Sequence, residues 1–244
     1  MNNGFLSRRT REGSGEGFRK GELWSFNKYS VKADNCKHFA FLSDVIMFRN
    51  LHFTGTPKMQ ICESDFVDEN GKSIPCTLCK EPSVKFPDQN NYPTEHLLAL
   101  VCVFEDKDQI RISKKGKEYP VDWIHVLTLP TNKKGIYTCK VEEASNEGYL
   151  LDDIWQIKKN KDNEILTPAP LDARELKKLG QQFDPEMHRD LQREYMNKPQ
   201  SEILSLILSS LTGVKYDNHE LIKMGIKPVD TREPASVSSD LDEE

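Results

Sequence analysis

Cys76-Thr77-Leu78-Cys79 is the densest metal-ligating motif in the chain. Pro75 and, further upstream, Gly71 precede it, so a tight turn can aim both thiolates at one ion. Thirteen residues separate Cys62 from Cys76, and nine separate His52 from Cys62. Soft thiolates with one imidazole suit tetrahedral zinc, and closure by four protein ligands marks a structural site. The expectation is a structural Zn2+ on Cys62, Cys76, Cys79 and a fourth ligand. His52 is the choice for that position, with Cys36, His38 and His96 as rivals. Two other chemistries share the motif. A thioredoxin-like redox centre needs a βαβ context, which the pattern lacks. A zinc nucleobase deaminase shows Pro-Cys-x-x-Cys, as Pro75 to Cys79 does, but needs a Glu two residues after its upstream ligand. Thr54 and Ser64 stand there and cannot shuttle the proton.

The elements that must position these ligands read as strands. Hydrophobic residues make up 36% of the 244 and charged residues 30%, so part of the chain should be arm or tail. Trp24, Phe26 and Val31 alternate; Phe39, Phe41, Val45 to Phe48 and Leu51 follow as short strand-like bursts, with a polar turn at Lys32 to Lys37. His52 to Val84 has no period and reads as an insertion. His96 to Phe104 is a buried strand in which Cys102 acts as a small hydrophobe. Glu105 to Tyr119 is a charged hairpin, and Val121 to Leu129 a strand stopped by Pro130. Ile136 to Val141, with Cys139 pointing inward, Leu151 to Lys158 and Glu164 to Thr167 complete a run of strands without helices between them. Such a run indicates an antiparallel barrel or sandwich. Helices follow at Asp172 to Leu179, from Asp184-Pro185 to about Tyr195, at Ser201 to Leu211 before Gly213, and at Asp217 to Met224.

The fold class is thus β-rich α+β. The expected organisation is a flexible basic arm at 1–20, a barrel at 21–170 with the zinc insertion at 52–84, a helical region at 171–228 and an acidic disordered tail at 229–244. Charge is segregated accordingly. The tail holds six acids and one base, a net −5, which equals the formal charge of the whole chain, so the remainder sums to zero. The arm carries five bases against two acids. No stretch reaches the ~20 apolar residues of a membrane helix, and no apolar run follows the N-terminal arginines. A cytoplasmic location with reduced thiols is expected, which favours metal over disulfides for the paired cysteines.

Cations interleaved with aromatics are what single-strand binding uses. Arg19, Lys20, Trp24, Lys28 and Tyr29 form one such set, with Lys37, His38, Phe39, Phe41, Phe48 and Arg49 repeating the mixture. Lys114, Lys115 and Lys117 precede Tyr119 and Trp123, and Lys133 and Lys134 precede Tyr137. The candidate contacts are Arg19, Lys20, Trp24, Lys28, Tyr29, Lys114, Lys115, Lys117, Trp123, Lys133 and Lys134.

A basic arm, a β-barrel interrupted by His52, Cys62, Cys76 and Cys79, then helices and an acidic tail: this order resembles the single-stranded DNA-binding, helix-destabilising proteins of T4-type and related tailed bacteriophages. The ligand order matches. The His-to-Cys spacing is shorter here, and the first-to-second Cys spacing longer. The resemblance implies an OB-fold whose strand-coating role serves phage DNA replication, recombination and repair. It also implies that the tail residues Asp240, Leu241, Asp242, Glu243 and Glu244 recruit replication and recombination proteins; a merely solubilising tail is the alternative.

Catalytic motifs are absent from the sequence. Gly13-x-Gly15-x-Gly17 follows no strand, and neither G-x-S-x-G nor H-E-x-x-H occurs. Asp152 and Asp153 would face opposite sides of a strand and could not share a metal. The chain therefore reads as a binder and not an enzyme. The second reading is a zinc-dependent transcription or replication accessory factor acting through protein contacts. The apolar face from Ile203 to Leu211 separates the two: it is buried on the barrel in the first and open to a partner in the second.

Overall fold

The computed structural model of the chain describes residues 24–26, 36–54, 59–68, 70–83, 87–107, 110–112, 118–120, 123–131, 139–158, 169–179, 188–213 and 215–226. Strand β4 (Thr94–Val103) lies inside a seven-stranded sheet, between β7 (Ile124–Pro130) and β2 (Cys36–Phe53). Beyond β7 lies β1 (Trp24–Phe26), and beyond β2 lie β8 (Trp155–Lys158) and then β9 (Ala169–Pro170). The short β3 (Met59–Ile61) also pairs with β2, and β5 (Ile110–Ile112) with β6 (Glu118–Pro120) forms a separate hairpin. All pairings are antiparallel except β1 with β7. Among the described residues the sheet is open, with β1 and β9 at the ends of the path.

The continuous apolar run of β4 follows from burial on both faces. Leu98, Leu100 and Cys102 enter one cluster and Leu97, Ala99, Val101 and Val103 the other, the two-residue alternation of a strand. The first cluster is covered by helices α3 (Arg189–Met196), α4 (Gln200–Thr212) and α5 (Asn218–Lys223), which bring in Tyr195, Ile203, Leu204, Ile207, Leu208 and Leu221. Leu176 of α2 (Ala173–Leu179) packs at its margin. The second is covered by α1 (Cys139–Glu147) through Val141 and Ala144, together with Leu150, Trp155 and Ile157. The expected helical region therefore shares its core with the sheet.

The strand-like bursts from Phe39 to Leu51 are one strand, β2, with a bulge. Phe41 pairs with Val101 but Ile46 pairs with Ala99, so Leu42 to Val45 face only Leu100. Three extra residues are an odd number, and the face each side chain takes changes parity. Phe39 and Phe41 join the α1-side cluster before the bulge; Ile46 and Phe48 pack there after it. The Gln192 amide of α3 donates to the Phe41 carbonyl at the edge of the bulge (2.8 Å) and to that of Leu151 (2.9 Å), which ties the helix to both segments.

Three expectations are corrected. Ile136 to Val141 is not a strand where it is described, since Cys139 opens helix α1 and is exposed. A helix therefore does lie between strands. Asp152 and Asp153 sit in the turn before β8, not on a strand, so the opposite-faces argument does not apply to them. Other expectations agree: Cys102 is buried, Pro130 ends β7, the charged hairpin pairs β5 with β6, and Gly213 closes α4 in the left-handed region at φ 72°. Asp172 and Asp217 accept backbone N–H bonds at the starts of α2 and α5. Glu164 to Thr167 and the Asp184-Pro185 start lie outside the described residues.

Candidate metal centre

Four side chains from three pieces of backbone converge beside the end of β2. Leu51 turns into the helix-side cluster, so the next residue, His52, turns to the opposite face and is fully buried. Cys62 follows β3 directly, and its amide donates to the Asn50 carbonyl at 2.7 Å, which fixes it against β2. Cys76 and Cys79 flank the start of a single 3-10 turn at Leu78–Lys80, and that turn folds both sulfurs inward.

The Nε2 atom of His52 lies 3.3 Å from Cys76 Sγ and 3.7 Å from Cys79 Sγ, and Cys62 Sγ lies 3.7 Å from Cys79 Sγ. All four ligand atoms fall within 4.8 Å of one another. This group can hold one metal ion, and it is the one His, Cys, Asp and Glu group of that kind among the described residues. The Nδ1 atom of His52 is 2.8 Å from the Asn91 carbonyl. A carbonyl only accepts, so Nδ1 carries the proton and Nε2 presents its lone pair to the centre. Burial also holds the ring below its ordinary pKa, against the opposing pull of the Asn91 carbonyl and of Glu63, Asp65 and Glu81. A neutral ring is the ligating form.

The sulfurs are under the opposite pressure. Burial pushes the Cys62 thiol up, partly countered by Ser64, whose hydroxyl lies 2.9 Å from Sγ. Burial, with the neighbouring Cys62 and Cys76 sulfurs, pushes Cys79 up to about 12. Three thiolates crowded together repel, and a dication at their centre removes that cost.

The surrounding loop is tied by polar bonds more than by apolar packing. The Glu63 carboxylate accepts from the Thr77 amide (2.9 Å), joining the Cys62 turn to the Cys76 turn. Asp65 accepts from the Asn50 amide and side chain, both at 2.8 Å, and Ser73 Oγ donates to the Ser64 carbonyl at 2.7 Å. Gly71, at φ 74°, turns the small loop that Asp68 closes by accepting from the Asn70 and Lys72 amides. The loop is also bound to α5, where the Val67 amide donates to the Lys223 carbonyl (2.9 Å), and Arg49 of β2 donates to the carbonyl of Met224 just beyond that helix (3.2 Å).

Of the rivals for the fourth position, His96 points Nδ1 at the Thr94 carbonyl (2.7 Å) on β4. Cys36 and His38 contact one another at the far end of β2. None of the three joins the centre. Asn91, Glu63 and Ser64 support the ligands and were not singled out by sequence. Asn91 is 39 residues from His52, and no periodicity links them.

The nucleic-acid candidates are not brought together by anything described. Arg19, Lys20, Lys28, Tyr29, Lys114, Lys115, Lys117, Lys133 and Lys134 lie outside the described residues, as do Asp240 to Glu244. Trp24 is placed in β1 by its backbone alone. Trp123 is half-buried at the margin of the helix-side core, tilted against Phe104 at 6.2 Å, with Lys107 Nζ 5.3 Å from its ring centroid. Among the described residues no helix is long and apolar enough to cross a membrane.

Compared with protein-family models, with curated proteins and with solved structures, the chain matches none.

Proposed function

We propose that the chain is a zinc-stabilised single-stranded DNA-binding protein that coats exposed strands in phage-type replication, recombination and repair, in the host cytoplasm and without catalysis. The observation that carries the reading is the closure in space of His52, Cys62, Cys76 and Cys79, the ligands on which the sequence resemblance rests. Zinc is the ion proposed. Bonds of about 2.3 Å to sulfur and about 2.0 Å to nitrogen give tetrahedral edges of roughly 3.8 Å between sulfurs and roughly 3.5 Å from sulfur to nitrogen. The separations of 3.3 and 3.7 Å fit that cage with small adjustments. Four protein donors leave no open position, so the ion would hold the loop in place and not activate water.

Strand binding would come from charge neutralisation by Arg19, Lys20, Lys28, Lys114, Lys115, Lys117, Lys133 and Lys134 and from stacking on Trp24, Tyr29 and Trp123. The resemblance implies an OB-type binding face, and the acidic tail would compete for it and recruit replication proteins. The alternative, an accessory factor docking through α4, is weakened because Ile203, Leu204, Ile207 and Leu208 are buried against the sheet.

The test is fluorescence anisotropy of labelled oligo-dT against duplex of equal length, at two salt concentrations. Tight, salt-sensitive binding to the single strand is expected, tighter still without residues 229–244. Absence of binding at low salt, with the tail removed, would end this reading.

A further inference from the structure

At the opposite end of β2 from the metal centre, three residues form a relay. Cys36 and His38 are two apart on the strand and share a face, and Cys36 Sγ lies 3.5 Å from His38 Nε2. The other ring nitrogen, Nδ1, lies 2.5 Å from Glu105 Oε1. Glu105 is held in place because both its oxygens accept from the His38 backbone amide at 3.0 Å. The ring therefore donates from Nδ1 and turns Nε2 toward the sulfur. Register sets Cys36 opposite Lys158 and His38 opposite Gln156. Gln156 Oε1 lies 3.6 Å from Cys36 Sγ, and its amide is oriented by a bond to Glu175 of α2.

We propose that Cys36 is a nucleophilic thiol, activated by His38 with Glu105 as the positioning residue, and that it forms reversible mixed disulfides with low-molecular-weight disulfides. A nucleophile, a base within reach and a third group orienting the base make up the arrangement that activates serine and cysteine nucleophiles on unrelated folds. Burial works against charging His38, but the hydrogen bonds to Cys36 and Glu105 outweigh it and bring the ring up to about 9. A cation therefore stands beside the sulfur at neutral pH, the setting that makes thiols reactive. In the reaction the Cys36 sulfur attacks one sulfur of the disulfide. That S–S bond breaks as the new one forms, and the departing thiolate takes a proton from His38 or water. The small disulfide is the oxidant, and excess thiol reverses the step.

The other described thiols give the contrast. Cys62, Cys76 and Cys79 belong to the metal centre, and burial pushes Cys102 up to about 12. Cys139 is exposed, while Cys36 is only half-exposed. Accessibility alone selects Cys139; activation selects Cys36. Among the described residues, the charged groups around the relay include Lys37 and Asp106 with His125 behind it, and Lys158 with Glu175 beside it. None of these ligates the metal centre.

The experiment treats the full-length, zinc-loaded protein with glutathione disulfide for timed intervals and maps each cysteine by mass spectrometry from pH 6 to 8. Cys36 is expected to be modified about tenfold faster than Cys139 at pH 7. Its rate should change little with pH. His38→Gln and Glu105→Gln should each lower the Cys36 rate and restore a steep pH dependence, with circular dichroism unchanged. A Cys36 rate at or below that of Cys139, or one that both variants leave intact, overturns the proposal. Should either variant fail to fold, the wild-type pH profile decides alone: a steep Cys36 profile overturns it.

Discussion

The metal-ligand loop and strand β4 are neighbours stabilised by different physics. From Leu97 to Val103 every side chain of β4 is inaccessible to solvent, and alternate residues fill two cores. Among the described residues of the loop between β3 and β4 the buried hydrophobic side chains are Cys62 and Cys76, and the loop is held by bonds accepted by Glu63, Asp65 and Asp68 and donated by Ser73. Area removed from water stabilises β4 with or without a metal ion. The loop's four donors can hold an ion, and with one bound its shape would depend on that ion and on the protonation of its thiols. One sheet can thus carry a segment whose order is conditional and a core whose order is not.

The largest separation of the two should come from removing the ion. Structural zinc contributes on the order of 10 kcal/mol in small domains at neutral pH. Cys76→Ser, or chelation of the wild type, should abolish stoichiometric metal and lower hydrogen-exchange protection over 59–91 by about a hundredfold or more. The amides of β4 should stay protected. Equal loss in β4 would mean that the two regions unfold as one unit. Leu98→Ala makes the reverse test: a cavity in the helix-side core should cost about 3 kcal/mol in urea unfolding, with or without metal. A cost that depends on metal would break the comparison from the other side.

Acid sharpens it further. Buried Asp106 is bonded to Lys37 at 2.7 Å and lies 3.0 Å from His125. Burial alone would raise its pKa, but His125 and Lys37 outweigh burial and bring it from 3.8 to about 2. The folded pKa is the lower one, so the stabilisation is complete above about pH 4 and is lost as pH falls to about 2. About 2 kcal/mol is at stake, since each tenfold change in proton affinity is worth ~1.4 kcal/mol. Measured in a Cys76→Ser background, which has no bound metal for acid to release, the slope should persist and should disappear with Asp106→Asn. The smallest expected effect is at the helix that touches both regions. Asp217→Ala removes the bond that caps α5 at the Glu220 amide and should cost about 1 kcal/mol in thermal unfolding. It should also loosen the Val67 amide bonded to that helix, read by its exchange rate.

Much of this was legible in the residues. Cys-x-x-Cys spacing, an upstream Cys and a preceding His specify a donor set regardless of fold, because ligand chemistry is local. The seven-residue apolar stretch of β4 announced a buried strand, and Asp217 and Gly213 marked helix ends because caps act over three or four residues. The residues around Cys139 were misread because alternation over three positions cannot distinguish a strand from the first turn of a helix. Parity along β2 was illegible too, since nothing in Leu42 to Val45 announces three unpaired residues.

By itself, the sequence determined the three cysteine ligands, the β-rich start and helical end, and the charge segregation; each depends on residue type or short-range spacing. Tertiary structure alone decided that His52 and not His38, Cys36 or His96 completes the metal group, because only strand pairing and side-chain facing set which distant residues meet. The same long-range register brought Glu105 to His38, 67 residues away, and set it behind a Cys36–His38 pair that the sequence had offered as spare metal ligands.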